Sequence, residues 1–329
     1  MLREKSKKKV LVTLCDESHV DMAKALFSSA YFHGGWDGDY LLLAHQVPEE
    51  KLKWFEEKSI KIWRCQPLSE NSKIKSRWKP VFLSKLYIFD CRIKRWDNVV
   101  YLDADCMVRS SIKKLGKVKG LKARKVMKTF GHSGLDVNIS PKFHFNTGVL
   151  AFDTNMVKEN TFEEIKNLIP KFMAEARSEN HVIITDEIVL ARYFKNVWKN
   201  FSLIYHVIPD QMKEFCFVPH HKLKGAILHH VGSFMDSVKP WNKDSYFYPE
   251  WQENFSKADQ VDIEKPIKAE SLLAPFYNIL VYYDWGKSFF SIKNFSLKID
   301  RLIGELGLVI KKINPQIYYF LKKHFENAK

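Results

Sequence analysis

Two hydrophobic rhythms alternate along residues 9–105, and this restricts the fold more than anything else in the chain. "KVLVTLC" (9–15) is short and apolar throughout, and "DYLLLA" (39–44), "IKIWRC" (60–65) and "NVVYLDAD" (98–105) also read as strands. Between them, "VDMAKALFSSAYF" (20–32), "EEKLKWFEEKS" (49–59) and "VFLSKLYIFDC" (81–91) carry apolar residues at helical spacing. A strand apolar on both sides is one covered on both faces. Strands alternating with helices specify an α/β fold whose central sheet is mixed but largely parallel.

That pattern gives three parts. Residues 1–9 are a basic tail, 10–255 a catalytic-sized α/β domain, and 256–329 a basic, aromatic, helical extension. "QVDIEKPIKAE" (260–270) is polar, contains Pro266, and reads as a linker into that extension. Beyond it, Ile303, Leu306, Ile310, Ile313, Ile317 and Phe320 recur three and four apart, one face of a helix that Pro315 interrupts. Lysines flank that face. It suits packing on the main domain, or lying on an anionic membrane as a peripheral element.

The chain of 329 residues has 53 Lys and Arg against 38 Asp and Glu, a formal charge of +15. This favours phosphorylated partners: nucleic acid, anionic lipid or a phosphate-bearing substrate. No nucleic-acid module accompanies the charge, so no specific nucleic acid is expected. "KKLGKVKGLKARKVMK" (113–128) concentrates eight basic residues with no acidic one. It is either a solvated face or a recruiter of an anionic acceptor. The cysteines at 15, 65, 91, 106 and 216 show no zinc spacing and point to reduced thiols in a cytoplasmic setting. The apolar run behind the basic N-terminus is too short for a signal peptide, and no stretch has the length of a membrane span.

Two D-x-D triplets occur, and about one is expected by chance in a chain this long. Asp37 and Asp39 precede "YLLLA" in a glycine-rich turn, at the end of the sheet where ligands do not bind. Asp103 and Asp105 follow "NVVYL", at the carboxyl end where open α/β sheets hold ligands. Such a pair either holds a hard divalent cation or is a solvated turn. "AILHHVG" (226–232) also ends an apolar strand in polar groups. There His229 can complete a metal shell whose mixed oxygen and nitrogen donors favour Mn²⁺, while Gly232 and Lys239 suit a phosphate. In "FNTGVLAFD" (145–153), Asn146 and Thr147 either read sugar hydroxyls or mark an edge strand. Asp186 and Glu187 open a helix, where acids are favoured and Thr185 can cap. No Walker A run, dinucleotide fingerprint or nucleophile elbow is present.

Together, "VLVTLC", "FLSKLYIFD", "VVYLDADCMV", "FNTGVLAFD", "TDEIVLARYF" and "HHVGS…VKPWN" resemble, in this order, the glycogenin-like family 8 glycosyltransferases over residues 9–245. The resemblance implies a GT-A fold and retaining transfer of a hexose from a UDP-sugar, with Mn²⁺ (Mg²⁺ as the alternative), to a glycan or lipid-linked acceptor. It implies Asp103, Asp105 and His229 as metal ligands and Lys85 near the donor sugar. It also implies Asn146 and Thr147 at the sugar, Asp186 near the anomeric carbon, Gly232 and Lys239 on the diphosphate, and Thr13 near the nucleotide. Self-glycosylation on tyrosine is the variant that glycogenin suggests. Two departures stand out. "SFMD" (233–236) lengthens the interval between Gly232 and Lys239, and Glu187 stands where the family often has Gln.

Overall fold

The computed structural model describes residues 8–68, 80–125, 145–178, 186–210, 212, 219–231 and 238–269. At its centre is a seven-stranded sheet in the order β3-β2-β1-β4-β7-β6-β8. These strands are β1 (Lys9–Cys15), β2 (Asp39–His45), β3 (Lys61–Cys65), β4 (Asn98–Leu102), β6 (Lys122–Lys125), β7 (Phe145–Asp153) and β8 (Lys199–Asn200). The first four strands in chain order run parallel. β7 runs antiparallel to β4 and to β6, so the sheet is mixed. A separate antiparallel pair joins β5 (Cys106–Val108) to β9 (Ile227–His229).

β1 is apolar throughout because it lies mid-sheet with a core on each side. Leu11 faces the cluster that includes Phe27, Phe55 and Leu102, from α1 (Val20–Phe32), α2 (Glu49–Glu57) and the end of β4. Val10 and Val12 face the other cluster, with Leu86, Phe89, Ile165 and Leu190. Ile165 comes from α3 (Thr161–Ser178) and Leu190 from α4 (Asp186–Tyr193). Each such side chain, fully buried, contributes about 1.5–3 kcal/mol.

The helix expected over residues 81–91 forms over Pro80–Phe89 as a 3₁₀-helix. Its period of three stacks Leu83, Leu86 and Phe89, all buried, in one row. Lys85 and Ile88 fall in a second buried row, and this carries the lysine into the site.

β7 is an interior strand, correcting the edge-strand alternative for "FNTG". Because it opposes β4, its first residues lie beside the end of that strand, with Val149 opposite Leu102. The first residues of the stretch expected as a linker, 260–270, are part of the domain's packing. α5 (Tyr248–Ser256) leads into Val261 and Ile263, which are buried in the α1 core. The Tyr31 hydroxyl donates to the Lys265 carbonyl at 2.9 Å. The helical extension over 270–329 lies outside the described residues.

The first part of the basic run, residues 113–119, takes a position far from the acids. Asn98, at the amino end of β4, donates to the Val118 carbonyl, and Gly116 lies against Lys9 and Trp36. Residues 113–119 therefore line the end of the sheet opposite Asp103. Asp39, at that same end, is buried and accepts from the Trp96 indole at 2.6 Å.

Candidate active site

The chain leaves β4 at Leu102 and turns at once, with the Cys106 amide donating back to the Asp103 carbonyl at 2.9 Å. This turn puts both aspartates at the strand's carboxyl end and starts β5 immediately. β5 pairs with β9 so that Cys106 lies opposite His229, and the His230 amide reaches the Asp105 carbonyl at 3.1 Å. His229 thus arrives by backbone pairing, with Nε2 at 3.2 Å from Asp105 Oδ1 and 3.6 Å from Asp103 Oδ2. Close approach to β7 needs glycine at 148. A Cβ there would lie 2.0 Å from Cε1 of His229.

Lys85 is 3% exposed and bridges two carboxylates, 3.0 Å from Asp103 Oδ1 and 2.7 Å from Asp186 Oδ2. Burial opposes its charge, but Asp103 and then Asp186 outweigh that and raise its pKa above the ordinary lysine value. The Tyr101 hydroxyl donates to Asp103 at 2.7 Å. Lys239 reaches Asp105 Oδ2 at 2.6 Å and also donates to the His230 carbonyl. Burial would push the Asp105 carboxyl up, yet Lys239 and His229 hold it well below the usual range. Asn146 donates to Glu187 Oε1 at 2.6 Å, and its own Oδ1 accepts from the Gly148 amide.

Two of the residues expected near the donor are buried and bonded within the protein. Thr13 is fully buried inside β1, and its hydroxyl donates to the Leu102 carbonyl at 2.8 Å, which ties two strands. Thr147 is 1% exposed, its hydroxyl donating to Asp186 and accepting from Lys85, so it supports that carboxylate from behind. Gly232, Thr185 and the "SFMD" insertion lie outside the described residues. For Thr13→Val we expect a loss of about 1–3 kcal/mol, because the Leu102 carbonyl loses its buried donor, with UDP affinity unchanged. Urea unfolding beside nucleotide titration checks both halves.

Do these residues suit a divalent cation? Asp105 Oδ1 is buried and has no partner in hydrogen-bond geometry, although His229 Nε2 lies within ion-pair distance. Three carboxylates, Asp103, Asp105 and Asp186, face the two ammonium groups of Lys85 and Lys239, which leaves the cluster formally negative. Asp105, Cys106 and His229 also have ligand atoms within 4.8 Å of one another. Burial and then the neighbouring Asp105 charge keep the Cys106 thiol protonated, and its sulfur approaches the Gly148 carbonyl at 3.6 Å. A protonated thiol is a poor ligand. The set that fits is two carboxylates and an imidazole, donors suited to a divalent cation.

Sequence reading missed a cleft of about 610 Å³ beyond the carboxyl ends of β1 and β2, lined by Asp16, Ser18, His45, Gln46, Lys51 and Val81 among others. The polar residues following "VLVTLC" were its only signal. His45 Nδ1 lies 2.7 Å from the Ser84 hydroxyl, next to Lys85, which ties the cleft wall to the acid cluster. Trp241 packs edge-on to His19 at 6.5 Å between ring centroids and lies under the Lys239 ammonium, spanning the two regions.

Known structures share this architecture. An active-site mutant of LgtC aligns with a TM-score of 0.62 at 16% identity, covering 75% of this chain and 95% of its own. The galactosyltransferase LgtC, in complex with donor and acceptor sugar analogues, aligns at 0.58 and 16% over the same shares. The glycosyltransferase GlyE of Streptococcus pneumoniae TIGR4 aligns at 0.53 and 20%, over 78% of this chain and 63% of its own. A search of curated proteins gave no match. The fold is therefore the GT-A fold of LgtC. Since the sequence pattern of glycosyl transferase family 8 matches residues 38–245, most of the domain and every element that brings a carboxylate to the cluster, the chain belongs to that family of transferases.

Proposed function

We propose that this protein is a retaining hexosyltransferase that carries a hexose from a UDP-sugar to a glycan or lipid-linked acceptor, with Mn²⁺, or alternatively Mg²⁺, as cofactor. The observation that supports it best is the convergence of Asp103, Asp105 and His229 around a buried, unbonded carboxylate oxygen at the carboxyl end of β4. Those three residues would hold the ion, which when bound neutralises charge on the departing diphosphate. Lys239 adds a point charge for the same diphosphate. The cleft beyond β1 and β2 would receive the nucleoside.

At the other end of Lys85, Asp186 faces the sugar side. Its carboxylate would stabilise positive charge at the anomeric carbon, as carboxylates do in glycosidases. Thr147 and Lys85 fix its position from behind. Asn146 brackets Glu187 beside it. LgtC was crystallised with donor and acceptor sugar analogues, which agrees with a donor and an acceptor here.

The test is release of free UDP from a panel of UDP-sugars, with and without Mn²⁺. We expect metal-dependent release from one sugar, reduced tenfold or more in Asp105→Asn with the fold retained. Equal release by that variant at limiting Mn²⁺ would sink the metal assignment. The same assay run without acceptor, followed by intact-mass measurement, shows whether any of the thirteen tyrosines becomes glycosylated.

The setting we propose is the cytoplasmic membrane face, on the strength of the +15 charge and the basic amphipathic pattern of 303–320. Among the described residues no helix is long and apolar enough to cross a membrane. Because 256–265 packs into the domain, the informative truncation begins at residue 270. We expect it to keep UDP release and to lose sedimentation with anionic vesicles. Unchanged sedimentation would make the extension a packing element.

A further inference from the structure

Behind His229 stands a second imidazole that neither the charge pattern nor the acidic triplet points to. His206 is completely buried, with Nε2 2.7 Å from Nδ1 of His229 and the two rings 4.9 Å apart between centroids. The contact is built into the backbone. Val207 donates to the Ile227 carbonyl at 3.0 Å, and His229 donates to the Val207 carbonyl at 2.8 Å. Residues 206–207 are thereby laid along β9, and the His206 ring must face the His229 ring. The buried Arg124 guanidinium donates to the His206 carbonyl at 2.6 Å and fixes the segment from the other side.

Two ring nitrogens at that distance share one proton, so one ring donates and the other accepts. If His206 donates, His229 carries its own proton on Nε2, aimed at Asp105 and closed to a cation. If His206 accepts, the Nε2 lone pair of His229 faces Asp103 and Asp105. Ligating histidines usually donate their remote N–H to a carboxylate or carbonyl, which fixes tautomer and orientation. Here the group that meets His229 Nδ1 is an imidazole. We propose that His206 is a positioning residue for the metal ligand: its ring accepts the Nδ1 proton of His229 and so presents the Nε2 lone pair to the cation held by Asp103 and Asp105. The inference rests on the metal reading above.

The test is Mn²⁺ binding to the purified full-length protein without donor sugar, followed by electron paramagnetic resonance of the free ion. His206→Phe keeps a ring and removes the acceptor, while His206→Gln puts an amide oxygen near the place of Nε2. We expect Mn²⁺ affinity to fall roughly 10- to 100-fold in His206→Phe and to recover most of that loss in His206→Gln. Urea unfolding of each variant separates binding from folding. If His206→Phe does not fold, His206→Met, bulky and without a good acceptor, takes its place. Wild-type affinity in the apolar variant overturns the inference, and so does equal weakening in His206→Gln. Either result leaves the metal reading standing if the wild type binds. Absence of Mn²⁺ binding by the wild type overturns both.

Discussion

Lys85→Met should cost about 3–5 kcal/mol of folding stability and abolish sugar transfer. The ammonium is 3% exposed and is the group that separates Asp103 from Asp186. Removing it leaves two carboxylates facing each other across an apolar side chain. Asp103 is 28% exposed and can draw on water, so the loss should sit near the lower end of that range. Asp186, 6% exposed, has no comparable relief. Burial alone would lower the lysine's pKa, but the two carboxylates raise it. Its stabilisation is therefore complete below the ordinary lysine value of about 10.4 and fades only as pH rises through the raised one. Lys85→Arg should not rescue, because a planar guanidinium does not fit a slot shaped for one nitrogen. Lys85→Met with Asp186→Asn should recover part of the stability and none of the activity, a coupling expected of groups in direct contact. A Lys85→Met protein within about 1 kcal/mol of wild type by urea unfolding would show that the lysine does not hold these two acids.

Lys85 also shows how far the sequence could be read. Its helix was visible, since "VFLSKLYIF" is dense in apolar residues, but the lysine's partners lie far along the chain. Thr147, for example, is 62 residues away. The sheet was legible because its signal is local: an apolar run buried on both faces looks the same wherever its neighbours come from. The same logic put Asp103 and Asp105 at a strand's carboxyl end, and the end of "AILH" gave His229. Hydroxyls were less readable. Thr13 and Thr147 sit in apolar runs, and nothing local tells a hydroxyl that meets a ligand from one spent on a carbonyl or a carboxylate. His206 in "LIYHVIP" had no signal at all, because its role depends on backbone pairing with β9. The supposed linker misled for a related reason. Val261 and Ile263 are isolated among polar neighbours, yet they reach the α1 core.

Gly148→Ala should reduce Mn²⁺ affinity at least a hundredfold and bring UDP release down to background. The added Cβ would lie 2.0, 2.5 and 2.6 Å from Cε1, Nδ1 and Nε2 of His229, far inside any real contact. The obstacle is a ring and not the end of a flexible chain. His229 is 3% exposed, lies in β9 opposite Cys106, and is backed by His206. Nor can β7 yield easily, since the Gly148 carbonyl accepts the Asp103 amide at 2.8 Å and the strand is paired on both sides. Whichever side gives, the imidazole moves away from the carboxylates or Asp103 moves with β7, and the ligand set comes apart. Overpacking of this kind costs about 1–3 kcal/mol, so the variant should remain folded and open to measurement. Gly120→Ala is the matching control. Gly120 adopts φ +64°, yet a Cβ there meets nothing within 4 Å. It should lose about 1–2 kcal/mol to backbone strain and keep full Mn²⁺ affinity. Combining Gly148→Ala with His229→Ala should weaken Mn²⁺ binding no further than His229→Ala alone, since the clash then has no object. Wild-type Mn²⁺ affinity in Gly148→Ala would mean that the ion does not depend on His229, and the ligand set would have to be drawn from the carboxylates without it.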